Sequence, residues 1–183
     1  EFKNTEGWIN SCIKLFEGIP IQIKINLSRL SISGTSGTLV PCSPNGAPLG
    51  NSIPYYEVCT SNPEKLNLIA GEDKFLNNPY SSLAKAIKLI DTFGENIFLR
   101  HQSDWISGWF LKDWSYGEEG NNIKLGWNII NKSWPESFNS FSLKKSIPVI
   151  KKSGSIIGTI NQTIANLLGT SEHLLLISGT TDA

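Results

Sequence analysis

The sequence predicts an α/β fold, because helical and strand-like segments alternate along its 183 residues. Residues 6–16 carry apolar side chains at helical spacing, whereas residues 156–160 show the alternation that is typical of a strand. A hydrophobic content of 39% with 10% aromatic residues is too high for a disordered chain. The length is that of one domain, or of one domain and part of a second.

In the first half of the chain, Pro20 ends the helix predicted at residues 6–16. Residues 21–25 alternate strictly between apolar and polar side chains, which predicts a half-buried strand. Residues 30–33 lead into a turn of small residues at 34–38. A second turn is predicted at residues 43–46, so this region is predicted to be a hairpin that leads into residues 53–56.

The second half continues the alternation of helices and strands. A helix is predicted to begin near Asn78 and Pro79, with apolar positions at helical spacing up to Gly94. The later elements are a strand at 97–99, a helix at 104–114, a polar loop at 117–126, a strand at 156–160, a helix at 163–168 and a buried strand at 174–178.

Charge and cysteine content limit the classes of function. Sixteen basic residues balance sixteen acidic ones, which argues against a general binder of nucleic acids or anionic membranes. No apolar run approaches the roughly 18 residues needed to span a bilayer. Cys12, Cys42 and Cys59 are odd in number and widely spaced, so we expect three free thiols in a cytoplasmic protein. The chain lacks Met even at position 1, so we expect a fragment of a longer protein.

Residue types alone leave several sites open. The glycines beside Ser36 fit either a backbone that approaches a ligand closely or an ordinary hairpin turn. The same residues match a G-x-S-x-G nucleophile motif incompletely, because the final position is Thr38. Asp182 follows a predicted strand, where a carboxylate can act as a base, hold a metal or cap a turn. The tryptophans between 105 and 134 fit either a core or a sugar-stacking surface.

The order of the motifs resembles that of the FGGY carbohydrate kinases, especially xylulokinase-like and ribulokinase-like members. The strongest stretch is His101-Gln102-Ser103-Asp104-Trp105, which is followed by residues 119–128 and Trp134-Pro135. Residues 154–182, with Gly179-Thr180-Thr181-Asp182 at their end, are similar to the end of the family's first domain. Residues 34–57 resemble its sugar-binding hairpin, and residues 78–82 its tyrosine-bearing start of a helix.

This resemblance implies a ribonuclease-H-like, actin-like fold of two lobes with ATP bound between them. Residues 1–183 would form most of the N-terminal sugar-binding lobe, incomplete at both ends, without the first strands and the C-terminal ATP-binding lobe. The implied partners are a small sugar and the protein's own C-terminal lobe, without nucleic acid or membrane, and oligomerisation stays open. ATP and Mg²⁺ would be cofactors of the full-length parent.

The resemblance also assigns roles to individual residues. Asp182 matches the aspartate that takes the proton from the sugar hydroxyl. The matches to substrate-binding residues are Thr35, Ser36, Gly37, Tyr80, Glu119 and Asn122. Gly179, Thr180 and Thr181 are assigned to cofactor binding, and no residue is assigned to a metal.

The implied function is that of part of an ATP-dependent kinase for a ketopentose, ribulose-like or xylulose-like, or for a related polyol. The family's Asp-x-Gly-Thr phosphate motif is absent, so we expect this chain alone to be inactive. Residues 57–59 and 127–128 depart from the family pattern, which leaves the sugar open. The alternatives are a non-catalytic carbohydrate-binding or regulatory module and a serine hydrolase that uses Ser36.

Overall fold

The computed structural model describes residues 3–141 and 143–181. Its helices are α1 (Thr5–Glu17), α2 (Ile21–Lys24), α3 (Pro63–Ala70), α4 (Ser82–Phe93), α5 (Gln102–Leu111), α6 (Glu119–Ile123), α7 (Ser137–Ser140) and α8 (Gln162–Leu168), with a 3₁₀ turn at Leu143–Lys145. Its strands are β1 (Arg29–Ser31), β2 (Leu39–Cys42), β3 (Phe98–His101), β4 (Tyr116–Glu118), β5 (Val149–Lys151), β6 (Ile156–Thr159) and β7 (Leu175–Ile177).

The strands of the described residues form three small sheets. In the largest, β7 lies between a parallel neighbour, β1, and an antiparallel neighbour, β6. The strand β2 pairs antiparallel with β3, and β4 pairs parallel with β5. Helices alternate with these strands along the chain, so the expected α/β class is confirmed.

Two apolar cores hold the sheets and helices together. One joins α3 and α4 to β2 and β3, through residues that include Leu83, Ile87 and Leu99. The other joins α1, α5 and α8 to β7, and it contains Trp105 and Trp114. Trp105, Trp109 and Trp114 are 4%, 9% and 6% exposed, so these three tryptophans belong to the core and offer no stacking surface for a sugar.

The strand predicted at residues 21–25 is wrong, because Ile21–Lys24 is a single helical turn. The Ile25 amide donates to the Ile21 carbonyl, and Pro20 stands at the N-cap. Ile21 and Ile23 are 51% and 54% exposed, so their alternation does not mark a buried face of a sheet. The loop predicted at 117–126 is also wrong in part, since it contains the end of β4 and the whole of α6.

The three cysteines are free thiols, as the sequence predicts, and burial raises the pKa of Cys42 to about 12. Within the described part of the chain, no helix has the combination of length and apolar character that crossing a membrane requires.

Candidate functional site

A cleft of about 210 Å³ brings together three of the residues that the sequence assigns to substrate binding. Ser36 and Gly37 come from the turn after β1, and Tyr80 comes from the segment before α4. The complete lining is Ser36, Gly37, Tyr55, Phe75, Asn78, Tyr80, Ser81 and Lys124. The cleft therefore joins segments that are more than 40 residues apart in sequence.

The turn that carries Ser36 forms one wall. Gly37 has a φ of +91°, a backbone conformation that glycine adopts readily. Any Cβ there would lie 3.6 Å from Cδ of Lys124, so the lysine stem rests against the glycine. The Lys124 ammonium donates to Ser36 Oγ over 2.7 Å. Thr35 is anchored behind the turn, where its main-chain NH and its hydroxyl both donate to Gln102 Oε1.

The opposite wall is the start of α4. The Ser81 hydroxyl accepts a hydrogen bond from the Ala84 amide and caps the helix. The amide of Tyr80 donates to Asn78 Oδ1, and the Tyr80 side chain is 54% exposed. Lys85 is fully buried behind this wall and donates to the carbonyls of Tyr80, over 2.7 Å, and Tyr55, over 3.2 Å. One buried ammonium therefore ties together two cleft segments.

We expect Lys85 to make the free energy of unfolding rise with pH. Burial lowers the pKa of Lys85 from 10.5 to about 8, and the charge of Lys124 adds to the lowering. Above pH 8 the folded chain has released this proton while the unfolded chain still holds it, so stability increases by about 1 kcal/mol per pH unit. The raised pKa values of Cys12, Cys42 and Cys59 contribute a slope of opposite sign above pH 8, so urea titrations between pH 8 and 9 isolate the Lys85 slope as the difference between wild type and a Lys85 variant.

Lys85→Met should lower the slope of the free energy of unfolding against pH by about 1 kcal/mol per pH unit relative to wild type. The matched control is Lys88→Met, on the same helix, whose ammonium lies 3.6 Å from Glu57 at a partly exposed position and whose loss should leave the slope intact. An unchanged slope in Lys85→Met would show that another group is responsible.

Asn122, assigned to substrate binding, is fully buried and does not line the cleft. Its amide donates to Asp104 Oδ2 over 3.0 Å and to the Glu118 carbonyl over 2.7 Å. The Glu118 carboxylate caps α6 by accepting from the amides of Gly120 and Asn121. Because Lys124 is the C-cap of α6, this network fixes the main chain from which Lys124 reaches the cleft.

Glu119, also assigned to substrate binding, lies away from the cleft lining. Its Oε1 accepts a hydrogen bond from the Ser153 amide over 3.0 Å, just after the end of β5. Ser153 also donates to Glu118 through its hydroxyl, so the pair Glu118-Glu119 joins α6 to the segment after β5.

The hydrolase alternative requires a histidine next to Ser36. His101 is fully buried, and its Nε2 is hydrogen-bonded to Ser82 Oγ at 2.9 Å. His173 is exposed and lies 3.8 Å from Glu172. The hydroxyl of Ser36 instead accepts from an ammonium, which cannot take its proton. The geometry does not support a Ser36 nucleophile.

The segment after β7 runs beside the Ser36 turn. Gly179 passes so close to β1 that a Cβ would lie 1.9 Å from the Ile32 carbonyl oxygen. Thr180 is exposed, and Thr181 forms a parallel bridge with Gly34, two residues before Ser36. Asp182, the assigned base, lies outside the described residues. Among the described residues, no three His, Cys, Asp or Glu side chains are grouped so that they could hold a metal ion.

Lys124 and Lys85 are the functional candidates that sequence reasoning missed. Lys124 lies inside a stretch that carries the family resemblance, but nothing local shows that its side chain reaches Ser36. Lys85 gives a stronger signal, because it interrupts the apolar positions of a helix that is buried almost throughout. A lysine in such a position needs nearby acceptors.

No protein-family model matches the chain. Solved structures of carbohydrate kinases do match it. The xylulose kinase of Rhodospirillum rubrum aligns with 98% of this chain at a TM-score of 0.84 and 13% identity. A ligand-bound xylulose kinase of Lactobacillus acidophilus aligns with 93% of this chain at a TM-score of 0.74 and 14% identity. A Plasmodium falciparum glycerol kinase with ADP aligns with 95% of it at a TM-score of 0.70 and 17% identity.

These comparisons confirm the expected fold. At such low identity they establish the fold alone, which this chain shares with part of each of these carbohydrate kinases. The chain spans 41%, 36% and 39% of the lengths of these three kinases.

Proposed function

We propose that the chain is the sugar-binding part of an ATP-dependent kinase that phosphorylates a hydroxyl of a ketopentose or a related polyol. The observation that carries this proposal is the cleft lined by Ser36, Gly37 and Tyr80, three residues to which the sequence resemblance independently assigns sugar contact. Its polar and aromatic lining has the character that a polyhydroxylated ligand requires.

The reaction would place a sugar hydroxyl near the end of β7. Thr181 pairs with Gly34, beside the Ser36 turn, and Asp182 is the next residue in the sequence. In this proposal Asp182 accepts the hydroxyl proton as the oxygen attacks the terminal phosphorus of ATP. Gly179, Thr180 and Thr181 would lie beside the phosphates, while Mg²⁺ would neutralise phosphate charge, and we assign it no ligand among the described residues.

The test is ATP consumption by the natural protein that contains this chain. D-ribulose, D-xylulose, L-ribulose, xylitol and glycerol would be compared, and we expect turnover above background with at least one ketopentose. We place this activity in the cytoplasm, where the free thiols Cys12, Cys42 and Cys59 remain reduced.

Ser36→Ala should raise KM for the sugar about tenfold, because one hydrogen-bonding hydroxyl leaves the cleft. Ser11→Ala is the matched control, since Ser11 is exposed on α1 and its hydroxyl donates only to the nearby Gly7 carbonyl. Equal KM values for wild type and Ser36→Ala would remove Ser36 from the sugar site.

A non-catalytic carbohydrate-binding or regulatory module is the second candidate. Sugar binding by the cleft that Ser36, Gly37 and Tyr80 line does not itself require a nucleotide site. Such a module would use the same cleft, so sugar binding without any ATP consumption by the natural protein would select it over the kinase.

A further inference from the structure

Three buried polar side chains form a row beside the start of α4. Ser82 is the first residue of α4, His101 is the last residue of β3, and Asp104 lies in the first turn of α5. Ser82 Oγ lies 2.9 Å from His101 Nε2, and His101 Nδ1 lies 3.7 Å from Asp104 Oδ2. One imidazole ring therefore connects three elements of the fold.

The surroundings of this ring decide which of its nitrogens carries the proton. Nδ1 has no hydrogen-bond partner among the described residues, but the Asp104 carboxylate beside it attracts an N–H and repels a lone pair. With the proton on Nδ1, the Ser82 hydroxyl donates to Nε2. With the proton on Nε2, the hydroxyl proton of Ser82 would have no acceptor among the described residues. The geometry therefore makes Nε2 the acceptor.

Ser82 is also the point at which two segments of the cleft lining are joined. Its main-chain NH donates to the Lys124 carbonyl over 3.1 Å. Lys124 and Ser81, the residue before Ser82, both line the cleft. A hydrogen bond that ties Ser82 to the end of β3 therefore also ties the start of α4 to the C-cap of α6.

We propose that His101 is a positioning residue of the cleft. Asp104 keeps the proton on Nδ1, and Nε2 accepts a hydrogen bond from the Ser82 hydroxyl. Carboxylate, imidazole and hydroxyl follow one another as in a Ser-His-Asp triad. Because Ser82 is fully buried, the arrangement holds this hydroxyl in place and does not present it to a substrate. Its effect on ligand binding rests on the proposed sugar site, whereas the arrangement itself does not.

The first test is the tautomer of His101, measured from the nitrogen-15 chemical shifts of its ring. The chain has two histidines, so two sets of signals are expected. His173 is exposed, and water can pair with either of its nitrogens, so it provides the reference for a mixture of tautomers. We expect His101 to have a protonated Nδ1 and an unprotonated Nε2. A protonated Nε2 would overturn the proposal.

Two substitutions at position 101 separate the contacts of the two nitrogens. Glutamine Oε1 is as many bonds from Cβ as Nε2 of histidine, and asparagine Nδ2 is as many as Nδ1. His101→Gln therefore keeps an acceptor for Ser82, whereas His101→Asn keeps only a donor for Asp104. His101→Asn should speed hydrogen exchange of the amide at position 82 about 3- to 10-fold, the usual contribution of one hydrogen bond. It should also raise Kd for D-xylulose or D-ribulose. His101→Gln should stay close to wild type in both.

Ser82→Ala removes the same hydrogen bond from its other end. It should reproduce the effects of His101→Asn, which preserves the test if the asparagine variant does not fold. The double variant should lose no more than either single variant, because one shared interaction is removed. Thr92→Ala is the matched control. The Thr92 hydroxyl is exposed near the other end of α4 and donates to the Lys88 carbonyl, so its loss should leave exchange at position 82 unchanged.

The outcomes distinguish this inference from the proposed function. Exchange at position 82 that is as slow in His101→Asn as in wild type, or as fast in His101→Gln as in His101→Asn, would overturn the positioning role. Faster exchange with an unchanged Kd in His101→Asn would overturn its connection to the cleft. Failure of wild type to bind either ketopentose would overturn the sugar site alone, since the tautomer and the exchange rate are measured without a ligand.

Discussion

Asp182→Asn is expected to lower the turnover of ATP by the natural protein about 10²- to 10⁴-fold, the usual contribution of a general base. The amide has the shape of the carboxylate but cannot take the proton of the attacking hydroxyl. The affinity for the sugar should change little, because Ser36, Gly37 and Tyr80 keep their places in the cleft lining. The measurement pairs kcat for ATP consumption with a Kd for the sugar.

Asp91→Asn provides the same side-chain change on the outer part of α4. Asp91 accepts hydrogen bonds from Lys65 and Asn62 at a partly exposed site and should leave both kcat and Kd unchanged. Normal turnover in Asp182→Asn would refute the base assignment. An equal loss in Asp91→Asn would show that the effect is one of folding rather than of proton transfer.

The fold was predictable where local pattern and tertiary environment agree. The helix α1 has an Asn4 cap and an apolar stripe, and its sequence signal matched the structure. In α2 the local sequence pattern and the tertiary environment disagree. A Cβ at Gly169 would lie 3.6 Å from Ile21 Cδ1, so this turn rests on the end of α8, a contact that no local pattern reveals. Strand β5 was not predicted from the sequence. It has only three residues, and these pair with β4, which lies more than 30 positions earlier in the chain.

The site was predictable to the extent that its residues lie in recognisable turns. Ser36, Gly37 and Tyr80 lie in two such segments, and the cleft joins them. Lys124 escaped prediction because its role depends on a 2.7 Å contact with a residue 88 positions away. Asn122 was assigned to a pocket-side loop for its motif position, but hydrogen bonds to Asp104 and Glu118 keep it in the interior.

Gly46→Ala is expected to lower the free energy of unfolding by about 3 kcal/mol or more. Gly46 has a φ of +81°, which costs alanine roughly 1–2 kcal/mol. An added Cβ would also lie 2.1 Å from Cε2 of Trp114. Overpacking of this kind costs about 1–3 kcal/mol. The sequence predicts the turn at Gly46 but not its contact with an indole ring.

Trp114 cannot move away to accept the new methyl group. A Cβ at Gly108 would lie 2.4 Å from Cδ1 of the same ring, so two glycines lie against the indole. Its Nε1 donates to the Trp105 carbonyl over 3.0 Å, and Trp105 Nε1 donates in turn to the Gly46 carbonyl over 3.1 Å. Displacement of the ring would break this chain of buried hydrogen bonds.

Gly154→Ala isolates the contribution of packing. Gly154 has nearly the same φ, +79°, and a Cβ there meets nothing within 4 Å. Both substitutions restrict the unfolded chain equally, so this contribution cancels in the difference between them. Urea denaturation should show Gly46→Ala to be less stable than Gly154→Ala by about 1–3 kcal/mol. Equal losses would mean that Trp114 yields freely, contrary to its two glycine contacts and its hydrogen bond to Trp105.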